Sequence, residues 1–308
     1  MTMLSRVAEN IYWMARYIER AENTARLTNV NSNLLLDLPR NVRLGWEPLL
    51  DITGGRSLFF DLYQEADERS TIRFLVTNQH NPSSILSSLK MARENARTIR
   101  DIIPRESWEQ INQLYLSAKE NVSHVLARNG RFEYLRQVIL GAQTITGLLA
   151  GTMNHDEGYD FLRMGRNLER ADMTTRIVDV RSATLLSETH EDLTPFENIQ
   201  WMSVLKSLTA YQMYRRTTRI RVRRPDVLRF LLQEPTFPRS VMHALGEVES
   251  CLSHLPANEK PVKALGTLQR KVERARPERL QQEELHEFID VLQQGLAKLH
   301  NRIAASYF

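Results

Sequence analysis

Two segments of this sequence carry residues able to hold an anion or move a proton. Arg16, Glu19 and Arg20 are spaced Arg-x-x-Glu-Arg, and Arg166, Glu169 and Arg170 repeat the spacing further along the chain. A guanidinium fork matches a carboxylate or phosphate, and a carboxylate beside it can orient that fork or act as an acid or base. At about 100° per helical residue, Arg16, Glu19, Arg20, Asn23 and Arg26 share roughly a third of the circumference with Glu9, Tyr12 and Trp13. The opposite face holds Ile11, Met14, Ile18, Ala21 and Ala25. Arg166, Glu169, Arg170 and Arg176 repeat the charged stripe, and Met164, Leu168 and Ala171 the apolar face. Two causes account for the kept order: buried ion pairs that fix how the halves dock, or arginines presented to an anionic ligand. Tyr12, Trp13, Arg16, Arg20, Asn23, Arg26, Arg166, Arg170 and Arg176 are the substrate-binding candidates, and Glu19 and Glu169 the catalytic ones.

Helical periodicity dominates the elements that must position these residues. Patterns run over about 5–36, 82–103, 105–128, 131–152, 156–187, 195–216, 238–255, 260–275 and 278–305. Ser5, Asn81-Pro82 and Thr194-Pro195 supply start signals. Pro39, Gly45, Pro48 and Gly54-Gly55 predict short helices and loops over about 37–80. The apolar stretch Val138–Met153, interrupted by Gln143, is too short to cross a bilayer and reads as a core helix.

The chain resembles itself. WMARYIERAENTARL from Trp13 and RMGRNLERADMTTRI from Arg163 match at seven of 15 positions, and Val30, Ser32, Leu35 and Leu36 meet Val180, Ser182, Leu185 and Leu186. Further on, Arg73-Phe74-Leu75 meet Arg229-Phe230-Leu231, while Pro82, Ser84 and Leu89 meet Pro238, Ser240 and Leu245. The expectation is an all-α, internally duplicated helical bundle with its halves in a pseudo-twofold arrangement, a first repeat over 1–153 and a second over 154–308.

Composition narrows the chemistry. Of 41 basic residues only seven are Lys, the other 34 being Arg, against 37 acidic residues. The mild net charge of +4 says little about partners. One cysteine, Cys251, permits no internal disulfide or thiolate cluster, and its apolar helical neighbours make it a buried structural thiol. The eight histidines show no i, i+4 pair around a central Glu, so local spacing supports no metal site. Gly54-Gly55 lacks the following Lys-Ser/Thr of a phosphate loop, and no cofactor is expected. His155-Asp156-Glu157 reads as acids at a helix start. The start MTMLSRVAEN lacks a signal-peptide pattern, so a cytoplasmic location is expected, with no membrane contact.

ENIYWMARYIERAENTARL from Glu9, with MGRNLERADMTTRI from Met164, resembles the bacterial alpha-E domain family over essentially the full chain. Gly165 for Ala15 and Asn167 for Tyr17 are the departures of the second motif from the first. The resemblance implies an intracellular helical protein commonly encoded beside circularly permuted ATP-grasp and transglutaminase-like proteins, a neighbourhood of ATP-dependent amide or peptide-bond formation. It supplies no catalytic residue. The leading expectation is a helical partner of a circularly permuted ATP-grasp ligase that binds an anionic peptide or amino-acid-like substrate. The alternatives are a non-catalytic scaffold with buried inter-repeat salt bridges, a stand-alone enzyme with a Glu general base, and an RNA-binding module.

One further segment stands out. YRRTTRIRVRRPDVLR from Tyr214 is strongly basic, whereas its counterpart carries Asp61, Glu65, Asp67 and Glu68. Arg215, Arg216, Arg219, Arg221, Arg223 and Arg224 are expected to dock a macromolecular partner. Few aromatics interrupt the run, which argues against nucleic acid.

Overall fold

The computed structural model describes residues 3–37, 45–186, 197–218 and 221–308. Their regular structure is all helical, without a strand among them. Residues cluster into two compact units, Met1–Arg166 and Asn167–Phe308. The division therefore falls inside a helix, later than the 153/154 boundary expected from the motif spacing.

In the first unit the 33-residue α1 (Ser5–Asp37) is the central element. Short helices follow: α2 (Glu47–Ile52), α3 (Arg56–Leu62) and α4 (Glu68–Ile72), the last running into a wider turn over Arg73–Thr77. Then come α5 (Ile85–Thr98), α6 (Arg105–Glu120), α7 (Val122–Leu126) and α8 (Arg128–Thr152). α1 packs on α5 and α8, and α6 closes the layer against both. Leu135, Val138, Ala142, Ile145 and Leu149 give α8 a buried face while Leu140 stays exposed, so this helix lies at the edge of the core.

The helix α9 (Glu157–Leu186) crosses the division. The second unit continues with α10 (Glu197–Ser207), α11 (Tyr211–Thr218), α12 (Arg224–Gln233), α13 (Val241–His254), α14 (Glu259–Arg274) and α15 (Gln282–Tyr307). α12 packs on α13, α13 on α14 and α14 on α15. A capping box at Gln281 starts α15, with its Glu284 side chain accepting from the Gln281 backbone at 2.9 Å.

Two pairs of elements have equal lengths: α5 and α13 are 14 residues each, and α6 and α14 are 16 each. Their starts match as well. Ser84 accepts from the Ser87 N–H at 3.2 Å, and Ser240 from the His243 N–H at 3.1 Å. Both serines are N-caps, satisfying a backbone donor that a helix start otherwise leaves unmet. Pro82 and Pro238 thus lie in the turns before the helices rather than in their first turns. Asn81 holds the first turn, donating to the Phe74 carbonyl at 3.0 Å and accepting from Ser83 N–H at 2.9 Å.

Three boundaries differ from the periodic reading. The 195–216 pattern is two helices, because Thr209 takes a positive φ of 56° between α10 and α11. The 105–128 pattern breaks at Asn121, which caps α6. α12 occupies a stretch where no helix was expected, its Val227, Leu228 and Leu231 fully buried beneath an arginine-rich exterior. Thr194-Pro195 lies outside the described residues.

Candidate functional site

α1 is enclosed on far more of its surface than a one-faced amphipathic helix. The expected apolar positions are buried, with Ile11, Met14 and Ala21 at 0% exposure, yet Glu19, Glu22 and Asn23 are also buried, each at 2%. The polar stripe is therefore part of the interior, with Thr28 and Asn31 continuing it. Buried polar groups are stable only when partnered. Glu19, Arg20, Glu22 and Asn23 all make further interactions within the fold, so neither the acids nor the bases stand free.

The solvent-side edge of the stripe is a ladder of cations and rings. The Arg16 guanidinium lies 5.0 Å from the Trp13 ring centroid and 5.8 Å from that of Tyr12, and it approaches the Tyr12 hydroxyl at 3.5 Å. Trp13 stacks on Tyr17 with centroids 5.5 Å apart, and Arg20 lies 5.5 Å over the Tyr17 ring. Trp13, Arg16, Tyr17 and Arg20 are half-buried. Stacking on ring faces pre-orders a guanidinium by fixing its plane. Such a ladder can present planar cations to a carboxylate or phosphate. One turn on, Arg26 donates from both Nε and Nη2 to Glu22, at 2.9 and 2.7 Å. That carboxylate is internal, so Arg26 is held in place.

α9 keeps the buried acid and changes its surroundings. Glu169 is 2% exposed, and Arg166 and Arg170 are half-buried. Arg176 donates to Asp172 at 2.9 Å, the counterpart of Arg26 on Glu22. Where α1 has Trp13, α9 has Arg163, which lies 3.5 Å from Asp160. The Gly165 position has a steric cause: a Cβ there would sit 2.3 Å from the Tyr12 carbonyl oxygen, so only glycine allows this approach of α9 to α1 in the first unit. Arg181, 4% exposed, occupies the position matching Asn31, and burial pushes its guanidinium down to about 10. It remains charged at neutral pH.

Tyr17, Glu22, Asp160 and Asp172 were not among the sequence candidates. An acid four residues before an arginine is a readable helix-pair signal, present in Glu22–Arg26 and Asp172–Arg176. Less readable was a group on distant segments. His286 Nδ1 lies 2.8 Å from Asp179 and Nε2 3.8 Å from Asp290, and ligand atoms of the three lie within 4.8 Å of one another. The two ring nitrogens face different carboxylates, an arrangement that suits an imidazolium bridging two acids better than one ion held by all three. The hydrogen bond to Asp179 raises the His286 pKa, whereas burial is the larger influence on Asp179 and raises it too.

The basic segment divides by role. Arg215, Arg216, Arg221 and Arg223 are exposed, with Arg215 6.0 Å over Tyr211, while Arg224 is half-buried at the start of α12. Arg219 lies outside the described residues. In the acidic counterpart, Asp67 caps α4 by accepting from Ser70 N–H at 2.7 Å, which lowers its pKa. Glu68 accepts from the buried Arg131 at 2.6 Å. Asp61 and Glu65 are exposed. Cys251 is buried as expected. No helix among the described residues is long and apolar enough to cross a membrane.

Comparison with known proteins places these features in a family. Uncharacterized proteins of Mycobacterium bovis and of two Mycobacterium tuberculosis strains are 24% identical over 298 residues, covering 90% of this chain. The match covers 33% of each of them, so the chain spans about a third of the length of these curated relatives. No solved structure matches. The family model for alpha-E, described as a predicted alpha-helical domain with a conserved ER motif, matches residues 3–308, and the chain belongs to that family.

Proposed function

We propose that the chain is the helical, non-ATP-binding partner of a circularly permuted ATP-grasp ligase, working in ATP-dependent amide or peptide-bond formation. The ligase would pass the γ-phosphoryl group of ATP to a carboxylate, releasing ADP, and an amine would then displace phosphate from the acyl phosphate. This chain would hold the anionic peptide or amino-acid-like substrate. The observation that carries the reading is the ring-stacked pair Arg16 and Arg20, ordered by Trp13 and Tyr17 at the edge of a helix whose carboxylates are buried. Arg166 and Arg170 of α9 are the corresponding cations, without the rings. Glu19 and Glu169, each 2% exposed, then serve as internal anchors rather than general bases. Exposed Arg215, Arg216, Arg221 and Arg223 would dock the ligase or a transglutaminase-like protein.

Two copies of one helical unit underlie this arrangement in our reading, supported by the matched serine caps and helix lengths. The setting is cytoplasmic. Co-expression with the neighbouring ATP-grasp protein, followed by ATP-turnover and product analysis, tests the function. Arg16→Gln with Arg20→Gln is expected to abolish product while leaving the circular-dichroism spectrum unchanged. Undiminished product from that folded variant would overturn the reading.

A scaffold without substrate contact is the second reading, favoured by the burial of both motif glutamates. It expects product to be lost only in proportion to lost folded protein.

A further inference from the structure

Most of the chain's lysines lie in one place. Of seven in the sequence, four (Lys260, Lys263, Lys271 and Lys298) line a single groove of ≈ 630 Å³ between α14 and α15, with Arg302 as a fifth cation and no acidic residue in the lining. All five are exposed. Several surface arginines elsewhere are neutralised: Arg56 bridges Glu47 and Asp51, Arg105 pairs with Glu109 and Arg136 with Glu133. The five groove cations have no ion-pair partner among the described residues. Clustered like charge without compensation opposes folding and raises the local attraction for an anion.

The groove is elongated. Along α14 its lining runs from Lys260 to Lys271 at one-face spacing, a reach of about 16 Å or three turns. α15 contributes Val291, Gln294, Gly295, Lys298 and Arg302 at the same spacing. The floor is apolar, built from Ala264 and the partly exposed Val291 over the buried Leu268. Gly295 lets that floor form, because a Cβ there would stand 2.7 Å from Leu268 Cδ1.

We propose that this groove docks an acidic amphipathic helix of a partner protein, its apolar ridge on Ala264 and Val291 and its carboxylates against Lys263, Lys298 and Arg302. A helix-sized trough with an apolar floor and cationic rims is complementary to that chemistry. Nucleic acid fits less well, since no aromatic side chain lines the groove to stack a base and only one cation is an arginine. A bilayer surface would meet the rims and leave the concave floor empty.

The full chain is titrated into a fluorescein-labelled synthetic peptide of about 14 residues, with leucines at i, i+4, i+7 and i+11 flanked by glutamates. Saturable anisotropy is expected, with a gain of helical circular dichroism. Lys263→Glu with Lys298→Glu should weaken binding roughly tenfold or more, and rising salt should weaken the wild-type complex. Val291→Asp should weaken binding with the rims intact. Arg97→Glu with Arg100→Glu, both exposed and in the first unit, should leave it unchanged. Because every altered side chain is exposed, circular dichroism should report folded protein in each case. Absence of saturable binding, equal binding by the lysine reversal, or equal binding of a scrambled peptide of the same composition would overturn the proposal. A single-stranded RNA oligonucleotide that binds more tightly than the peptide, and loses binding on the same reversal, would replace it with a nucleic-acid groove.

Discussion

The motif helices α1 and α9 share their interior and differ at their edges. Glu19 and Glu169 are equally buried, and each helix continues with an acid holding an arginine one turn on, Glu22 with Arg26 and Asp172 with Arg176. Around Arg16 and Arg20, α1 places Tyr12, Trp13 and Tyr17. α9 places Asp160 near Arg163 and a glycine where α1 has Ala15. A buried charge tolerates little change, since losing its partner leaves an uncompensated ion in a low-dielectric interior. A helix edge is free to acquire different neighbours. The ER motif is thus an internal feature common to both helices, and the aromatic-flanked arginines belong to one.

The largest effect should come from the shared feature. Glu19→Ala and Glu169→Ala should each cost about 3 to 5 kcal/mol in urea-unfolding free energy, the loss typical of a broken buried pair. A large loss for one and a negligible loss for the other would separate the helices where they look most alike.

Next is the glycine that distinguishes them. Gly165→Val should destabilise by about 3 kcal/mol, because its Cβ would meet backbone that cannot move aside. Gly147→Ala, with nothing within 4 Å of the added carbon, should instead stabilise by about 1 kcal/mol through helix propensity. Thermal melts showing the same sign for both would undo the close-approach explanation.

Smaller and equal effects are expected at the matched caps, with Ser84→Ala and Ser240→Ala each costing about 1 kcal/mol. Unequal midpoint shifts would show that the Ser240 hydroxyl bond to the Glu234 carbonyl and the Ser84 hydroxyl bond to the Ser87 hydroxyl contribute differently to the two caps.

The smallest effect is confined to the second unit. His286 gains its raised pKa chiefly from the hydrogen bond to Asp179, so its stabilisation is full below the unfolded histidine value of about 6.5 and fades as pH rises through the folded value. Asp179, raised by burial, has the opposite tendency: it favours the fold only while protonated, at lower pH than the histidine transition. Since His286 is largely exposed, the tie should be worth within about 1 kcal/mol. The melting-temperature gap between wild type and His286→Ala should shrink from about pH 6 to pH 8. A gap that widens would reverse the assignment.

Much of this was legible along the chain. The motif helices were readable from apolar residues at helical spacing, and the Glu22–Arg26 pair was available from its i, i+4 separation. The Pro225 start signal and the apolar Val227, Leu228 and Leu231 were available for α12, but seven arginines in the surrounding run masked them. His286 and Asp179 lie 107 residues apart, so no local spacing could join them. The lysine groove was equally hidden, because its rims come from two helices whose facing sides are set by packing.

By itself the sequence determined the helical class, the order of the long helices and the residues of the ER motif, because those follow from local periodicity, capping chemistry and residue type. Only tertiary structure decided that Glu19 and Glu169 are interior, that Arg16 and Arg20 rest on rings, and that four scattered lysines share a groove. The physical reason is that a helical wheel ranks faces by polarity, whereas burial depends on how many neighbouring helices close around each face.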